Sequence, residues 1–181
     1  MAGMETPSEP RWLDSEERDT WRALASALVR LPAALDAQLQ RDAGISHFEY
    51  TVMAGLSESP DHTQRMSALA VMVEGSLARL SQVVSRLEKR GWVRRATDPD
   101  DGRCTLAILT ADGWDKVVEA APGHVAEVRR LVLDPLTRAQ MRQLGGIGRR
   151  IVHAIDPDDS WPSVRSTTAL HSGQHGTEPG R

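Results

Sequence analysis

A mainly helical fold carrying one small β-hairpin is predicted by three features of the sequence. Apolar residues recur at three- and four-residue spacing through much of the chain. A compact stretch, Leu69 to Thr110, joins a short helix, a tight turn at Glu74-Gly75 and a second helix opening at Ser76. Two short strand-like runs then flank a tip of Asp and Gly residues that ends on Arg103. Helix, turn, helix and hairpin in that order form a winged helix-turn-helix. In that arrangement one helix enters the major groove of DNA and the hairpin reaches toward the minor groove.

The elements follow from local chemistry. Asp14-Ser15-Glu16-Glu17 opens a first helix with a cap and acids in the first turn. Trp21, Leu24, Leu28, Leu31, Leu35 and Leu39 continue it, Pro32 should kink it, and Gly44 ends it. Ser46-His47-Phe48-Glu49 is a capping box for the next helix, and Pro60-Asp61 marks a loop. Ser67 is expected to cap a third helix, Ala68 to Val73. The strands should run from about Trp92 to Ala96 and from about Cys104 to Leu109, across the turn-rich Asp98-Pro99-Asp100-Asp101-Gly102. Thr110 caps a further helix whose apolar positions reach Val132, with Pro122-Gly123 expected to bend it. Thr137-x-x-Gln140 opens the last helix, with Met141, Leu144, Ile147 and Ile151 on one stripe. Its three glycines, Gly145, Gly146 and Gly148, each cost about 1 kcal/mol against Ala, so it needs a partner to pack on.

This divides the chain into a mobile tail (residues 1–13), a helical dimerisation module (14–44 and 111–155), a DNA-binding domain (45–110) and a second mobile tail (156–181). The terminal helices carry more apolar surface than the central domain can cover. Two copies burying that surface against each other would present two reading helices to a two-fold DNA site.

With 181 residues and a formal charge of −3, bulk charge does not mark a nucleic-acid binder. Distribution does. Arg79, Arg86, Lys89, Arg90, Arg94 and Arg95 face a single acid, Glu88, between Arg79 and Arg95. The aromatics are five Trp, one Tyr and one Phe, so aliphatic packing must build most of the core. The single Cys excludes an intrachain disulfide and a cysteine-rich zinc site. No signal sequence or membrane span is legible, and a cytoplasmic location is the expectation.

On a helical wheel, Leu77, Leu80, Val84 and Leu87 form the inward stripe of the second helix. Ala78, Arg79, Gln82, Ser85 and Arg86 lie opposite. Gln pairs in two-point fashion with adenine and Arg with guanine, while small residues let a helix seat deeply. Ser76 as N-cap leaves the positive helix end near a phosphate, and Ser67 is grouped with these contacts. In the hairpin, Arg103 suits a narrow minor groove. Asp101 suits the task of holding Arg103 or Arg95 in a fixed pose.

Leu69-Ala70, Ser76, Leu87-Glu88-Lys89-Arg90-Gly91-Trp92-Val93-x-Arg95, Asp98-x-x-Asp101-Gly102-Arg103 and Leu109-Thr110-x-x-Gly113 together resemble the multiple-antibiotic-resistance regulator (MarR) family. The resemblance implies a homodimeric regulator, most simply a repressor, on a double-stranded, pseudo-palindromic operator, released by a small aromatic or phenolic ligand. It carries Ser76, Arg79, Gln82 and Arg86 onto the recognition helix, and Asp101 and Arg103 onto the wing. Leu77 and Ala78 stand where the family often has polar residues. Some members sense oxidants through a cysteine near the first helix, which this sequence lacks. For Cys104 the readings are an oxidation-sensitive wing and an ordinary strand cysteine.

Trp21, His47, Tyr50 and Trp114 are candidates for an effector pocket, the alternative being plain core aromatics. The six histidines are scattered without metal-ligand spacing. No phosphate loop or nucleophile elbow appears, so no cofactor and no enzymatic activity are expected. The competing function is a winged-helix module for protein–protein assembly without sequence-specific DNA binding. Arg79, Gln82 and Arg86 speak against it, because an assembly face would be more apolar.

Overall fold

A computed structural model describes residues 10–157. The expectation of mobile tails falls almost wholly on residues outside that range. The described chain runs through α1 (Ser15–Ala43), α2 (His47–Glu58), a 3-10 turn (Pro60–His62), β1 (Thr63–Arg65), α3 (Met66–Met72), α4 (Leu77–Lys89), β2 (Val93–Thr97), β3 (Thr105–Leu109), α5 (Ala111–Val128), a π-helical turn (Arg129–Leu133) and α6 (Arg138–Ile155).

Side-chain caps set most helix starts where the sequence places them. Asp14, Ser46 and Thr137 form reciprocal capping boxes with Glu17, Glu49 and Gln140. Ser76 accepts from the Arg79 N–H and Thr110 from the Gly113 N–H. Each satisfies an orphan donor of the first turn. Gly44 ends α1 in the left-handed region, at φ 66°. α1 and α5 continue through Pro32 and Pro122. In α5 the departure from α geometry comes later than Pro122-Gly123 suggests, in the turn Arg129–Leu133.

Three local expectations need correction. Ser67 does not cap α3: the helix begins at Met66 with Arg65 as N-cap, which makes no side-chain cap bond. The residues ahead of it form β1, so the hairpin becomes a three-stranded antiparallel sheet of order β1-β3-β2. β1 pairs Thr63 with Ile108 and Arg65 with Leu106, while β2 pairs Val93 with Leu109 and Thr97 with Thr105. Leu77 is not inward. It is 54% exposed, and Val83 takes its place in the core beside Leu80, Val84 and Leu87.

One core joins α1, α2, α3, α4, the sheet and α5 through Leu39, Ile45, Met53, Leu56, Leu69, Leu80, Val84, Leu87, Val93 and Val117. Two glycines permit its closest approaches. A Cβ at Gly113 would collide with the Trp92 carbonyl, so the start of α5 lies directly on the turn that joins α4 to β2. A Cβ at Gly75 would come within 2.8 Å of Phe48 Cζ, so the turn before α4 rests on α2. The positive φ of that turn belongs to Glu74, at 50°. Away from this core, α6 has no buried residue, and Met141, Leu144, Ile147 and Ile151 stand exposed along it. Among the described residues, no helix is long and apolar enough to cross a membrane.

Candidate nucleic-acid interface

α4 is amphipathic: its apolar stripe is buried, and Ala78, Arg79, Gln82 and Arg86 are exposed on the remainder. Ser76 and Ser67 are also exposed, while Ser85, Arg95 and Asp101 are half-buried. Lys89, Arg90 and Arg94 add exposed cations to the same stretch.

The arginines are held in different ways. Arg79 lies over the Phe48 ring, 4.0 Å from its centroid. Arg86 donates from Nε to Glu49 Oε1 at 3.3 Å, keeping about half its side chain exposed. Glu49 is buried, and burial alone would raise its carboxyl. Hydrogen bonds from Ser46 and Arg86, with the charge of Arg90, bring it below the usual range instead. One buried carboxylate thus caps α2 and anchors an arginine of α4.

Arg95 is engaged within the protein. Its Nη2 donates to the Ser81 carbonyl at 2.7 Å and to Ser85 Oγ at 2.9 Å. Its Nη1 lies 3.1 Å from Glu88 Oε2, and its backbone N–H donates to Glu88 Oε1. The residue clamps β2 onto α4. Of the two partners expected for Asp101, the structure selects Arg103, whose backbone N–H and Nε both donate to Asp101 Oδ1. These bonds lower the Asp101 carboxyl and leave the Arg103 side chain 91% exposed at the tip.

Cys104 is half-buried and its Sγ donates to Asp101 Oδ2 at 3.5 Å. Burial, together with the Asp101 carboxylate, pushes the thiol up, which disfavours the reactive thiolate. This supports the ordinary strand cysteine over the oxidation-sensitive one.

The four aromatic candidates do not converge. Trp21 borders a shallow hollow with Asp14, Glu17 and Leu24, and Trp114 stacks on His62 at 4.9 Å. His47 and Tyr50 both meet His124, at 5.5 and 4.5 Å between ring centroids. The large cavity, of about 870 Å³, lies where α1, α2, the turn after α3 and α4 meet. His47 alone of the four lines it, with Phe48, Asp36, Arg79, Gln82 and Arg86. Among the described residues, no group of three or more His, Cys, Asp or Glu is arranged to hold a metal ion.

Sequence reasoning missed Arg65, Phe48 and Glu49 in this site. Arg65 Nε lies 2.6 Å from Oδ2 of the buried Asp98, tying β1 to the base of the hairpin. No periodicity marks a three-residue strand. Phe48 and Glu49 sit inside the capping box and were legible as helix initiators, but their contacts to α4 depend on tertiary placement.

Comparison with known proteins agrees with this geometry. The MarR family model matches residues 45–105, the segment that holds the site. Sco3205, a MarR family transcriptional regulator from Streptomyces coelicolor solved in complex with DNA, is 45% identical, with a TM-score of 0.80 over 83% of this chain and 94% of that one. AbsC, a MarR family transcriptional regulator from the same organism, is 33% identical, with a TM-score of 0.77 over 81% of this chain and 98% of that one. The transcriptional repressor MprA of Escherichia coli K12 is 26% identical over 113 residues, 62% of this chain. That match spans only 64% of the length of MprA. High identity across nearly the whole of two solved regulators, and a family model seated on the site itself, establish that the chain belongs to the MarR family, whose winged-helix members are DNA-binding transcription regulators and not enzymes.

Proposed function

We propose that this protein is a homodimeric repressor that binds a pseudo-palindromic operator and releases it on binding a small aromatic or phenolic ligand. The observation that carries the reading is the exposed face of α4, where Ala78, Arg79, Gln82 and Arg86 stand clear of a fully buried apolar stripe. In this reading Gln82 and the two arginines address base edges and phosphates of the major groove, with Ser76, Ser67 and Ser85 beside them. Arg103, posed by Asp101, reaches the minor groove, and Arg95 keeps the hairpin in register with the helix. Residues 45–110 form the DNA-binding domain, and residues 14–44 and 111–155 the dimerisation module. The exposed apolar row of α6, with Leu28 and Val29 of α1, supplies the surface for a second copy. The name of MprA lends support to repression.

Ligand release draws support from the shared wall of the large cavity. Arg79, Gln82 and Arg86 line it and also belong to the reading face. An aromatic anion entering this cavity and paired with these guanidiniums would withdraw the groups that DNA needs. The test is fluorescence anisotropy with a duplex that the protein itself selects from a randomised pool, followed by titration with hydroxybenzoates. Tight binding that falls steeply with salt, and loss of the complex on titration, are the expected results. Binding to no duplex at low salt overturns the DNA reading. A complex indifferent to hydroxybenzoates and hydroxycinnamates overturns the ligand class.

A further inference from the structure

Leu77 is the one large apolar side chain that α4 turns outward. It is the first residue of the helix, directly after the Ser76 cap, and is 54% exposed. Ala78, the next residue, is exposed as well. A scattered surface leucine is ordinary, but this one occupies the first turn of a reading helix, the part whose residues contact base edges. Its neighbours on that turn are a hydroxyl cap and the guanidinium of Arg79, and it stands at the margin between the buried stripe and the exposed polar face. Helical spacing puts Ser81 and Ser85 on the same flank, one and two turns on. Arg95 occupies the Ser81 carbonyl and the Ser85 hydroxyl, which closes the hairpin side of that flank. Leu77 lies one turn ahead of that clamp and is not covered by it.

A leucine brought against a base edge desolvates every donor and acceptor it covers without replacing their hydrogen bonds. One major-groove feature escapes that penalty and gains from apolar contact: the C5-methyl group of thymine. We infer that Leu77, with Ala78 beside it, is a specificity residue that reads a thymine methyl in each half-site. The inference rests on the DNA-binding reading of α4 and adds to it a base that neither Gln82 nor the arginines select.

The experiment uses the full chain and duplexes selected by it from a randomised pool. The selected sequences should contain a thymine at one symmetry-related position in each half. Replacing that thymine by deoxyuridine removes only the methyl group, and should weaken binding about fourfold per half-site, the equivalent of about 0.8 kcal/mol for one buried methyl. Leu77→Ala should abolish the difference between thymine and uracil. Arg79→Ala should weaken both duplexes alike and leave the difference intact.

Equal affinity for thymine and uracil at every position overturns the inference while leaving DNA binding standing. A Leu77→Ala protein that keeps the full thymine preference but melts at lower temperature also overturns it, since Leu77 is then a packing residue. If no sequence is enriched, the DNA reading and this inference fall together.

Discussion

Replacing Arg95 by Ala separates a clamp from a DNA contact. The side chain is 29% exposed and makes two short hydrogen bonds to α4 and an ion pair with Glu88. Hydrogen bonds from a charged donor are each worth about 1.5–3 kcal/mol when well shielded. Partial exposure brings the whole set down to about 2 kcal/mol. The Ser81 carbonyl and Ser85 hydroxyl keep access to water or to the helix, so no buried orphan adds to the cost. For a chain of this size, about 2 kcal/mol lowers the melting temperature by about 4–8 °C. Differential scanning fluorimetry reads that shift, and anisotropy titrations over a range of salt read the DNA side. Arg95→Ala should weaken binding by loosening the hairpin, yet leave the slope of log K against log salt unchanged. Arg103→Ala, at a side chain 91% exposed, should leave the melting temperature alone and reduce the slope by about 0.9 per subunit. If Arg95→Ala keeps its melting temperature and flattens the slope as Arg103→Ala does, Arg95 swings out to a phosphate and the clamp is wrong.

Three further outcomes follow from the geometry. Gly113→Ala sets a methyl against the Trp92 carbonyl and should cost about 3 kcal/mol or more, read as a lower urea midpoint or insoluble protein. A midpoint like that of the parent would show that the start of α5 does not lie against the Trp92 carbonyl. The His47 and His124 rings titrate below their ordinary value. Burial lowers both, His47 lowers His124 further, and Asp36 partly opposes the shift of His47. The unfolded chain takes up these protons first, so their contribution is full above about pH 6.5 and is lost as pH falls toward the lower folded values. Melting at pH 7.5 and 5.5 should therefore show a loss at the lower pH that His124→Gln reduces, and an equally pH-sensitive variant contradicts the argument. Ile147→Asp, at the centre of the exposed α6 row, should halve the mass measured by light scattering, whereas an unchanged mass removes α6 from the interface.

Legibility in the sequence followed the range of the interactions. Ser46, Ser76, Thr110 and Thr137 act on N–H groups three residues away, so their helices could be read locally. Thr63-Gln64-Arg65 becomes a strand only by pairing with Leu106–Ile108, and nothing in those three residues announces it. Leu77 deceived the helical wheel because it lies at the edge of the apolar arc, in a first turn with no earlier turn to cover it. Two roles for Asp101 were legible as alternatives, and proximity chose Arg103; Arg95 found its partners on the helix behind it. The aromatic content of Trp21 and Trp114 pointed away from the large cavity, whose wall mixes apolar residues such as Pro32, Val73 and Val83 with the charged Asp36, Glu74, Arg79 and Arg86, and which neither Trp lines.

Hydroxyl-radical footprinting of the full chain on its selected duplex bears most directly on the central claim, that two copies of α4 engage successive grooves of one DNA. Two protected blocks should appear, related by a two-fold axis and centred about 10 base pairs apart, with weaker protection outside them where the Arg103 tips reach the minor groove. A single unsymmetrical block, or protection unaffected by loss of Arg103, would contradict it.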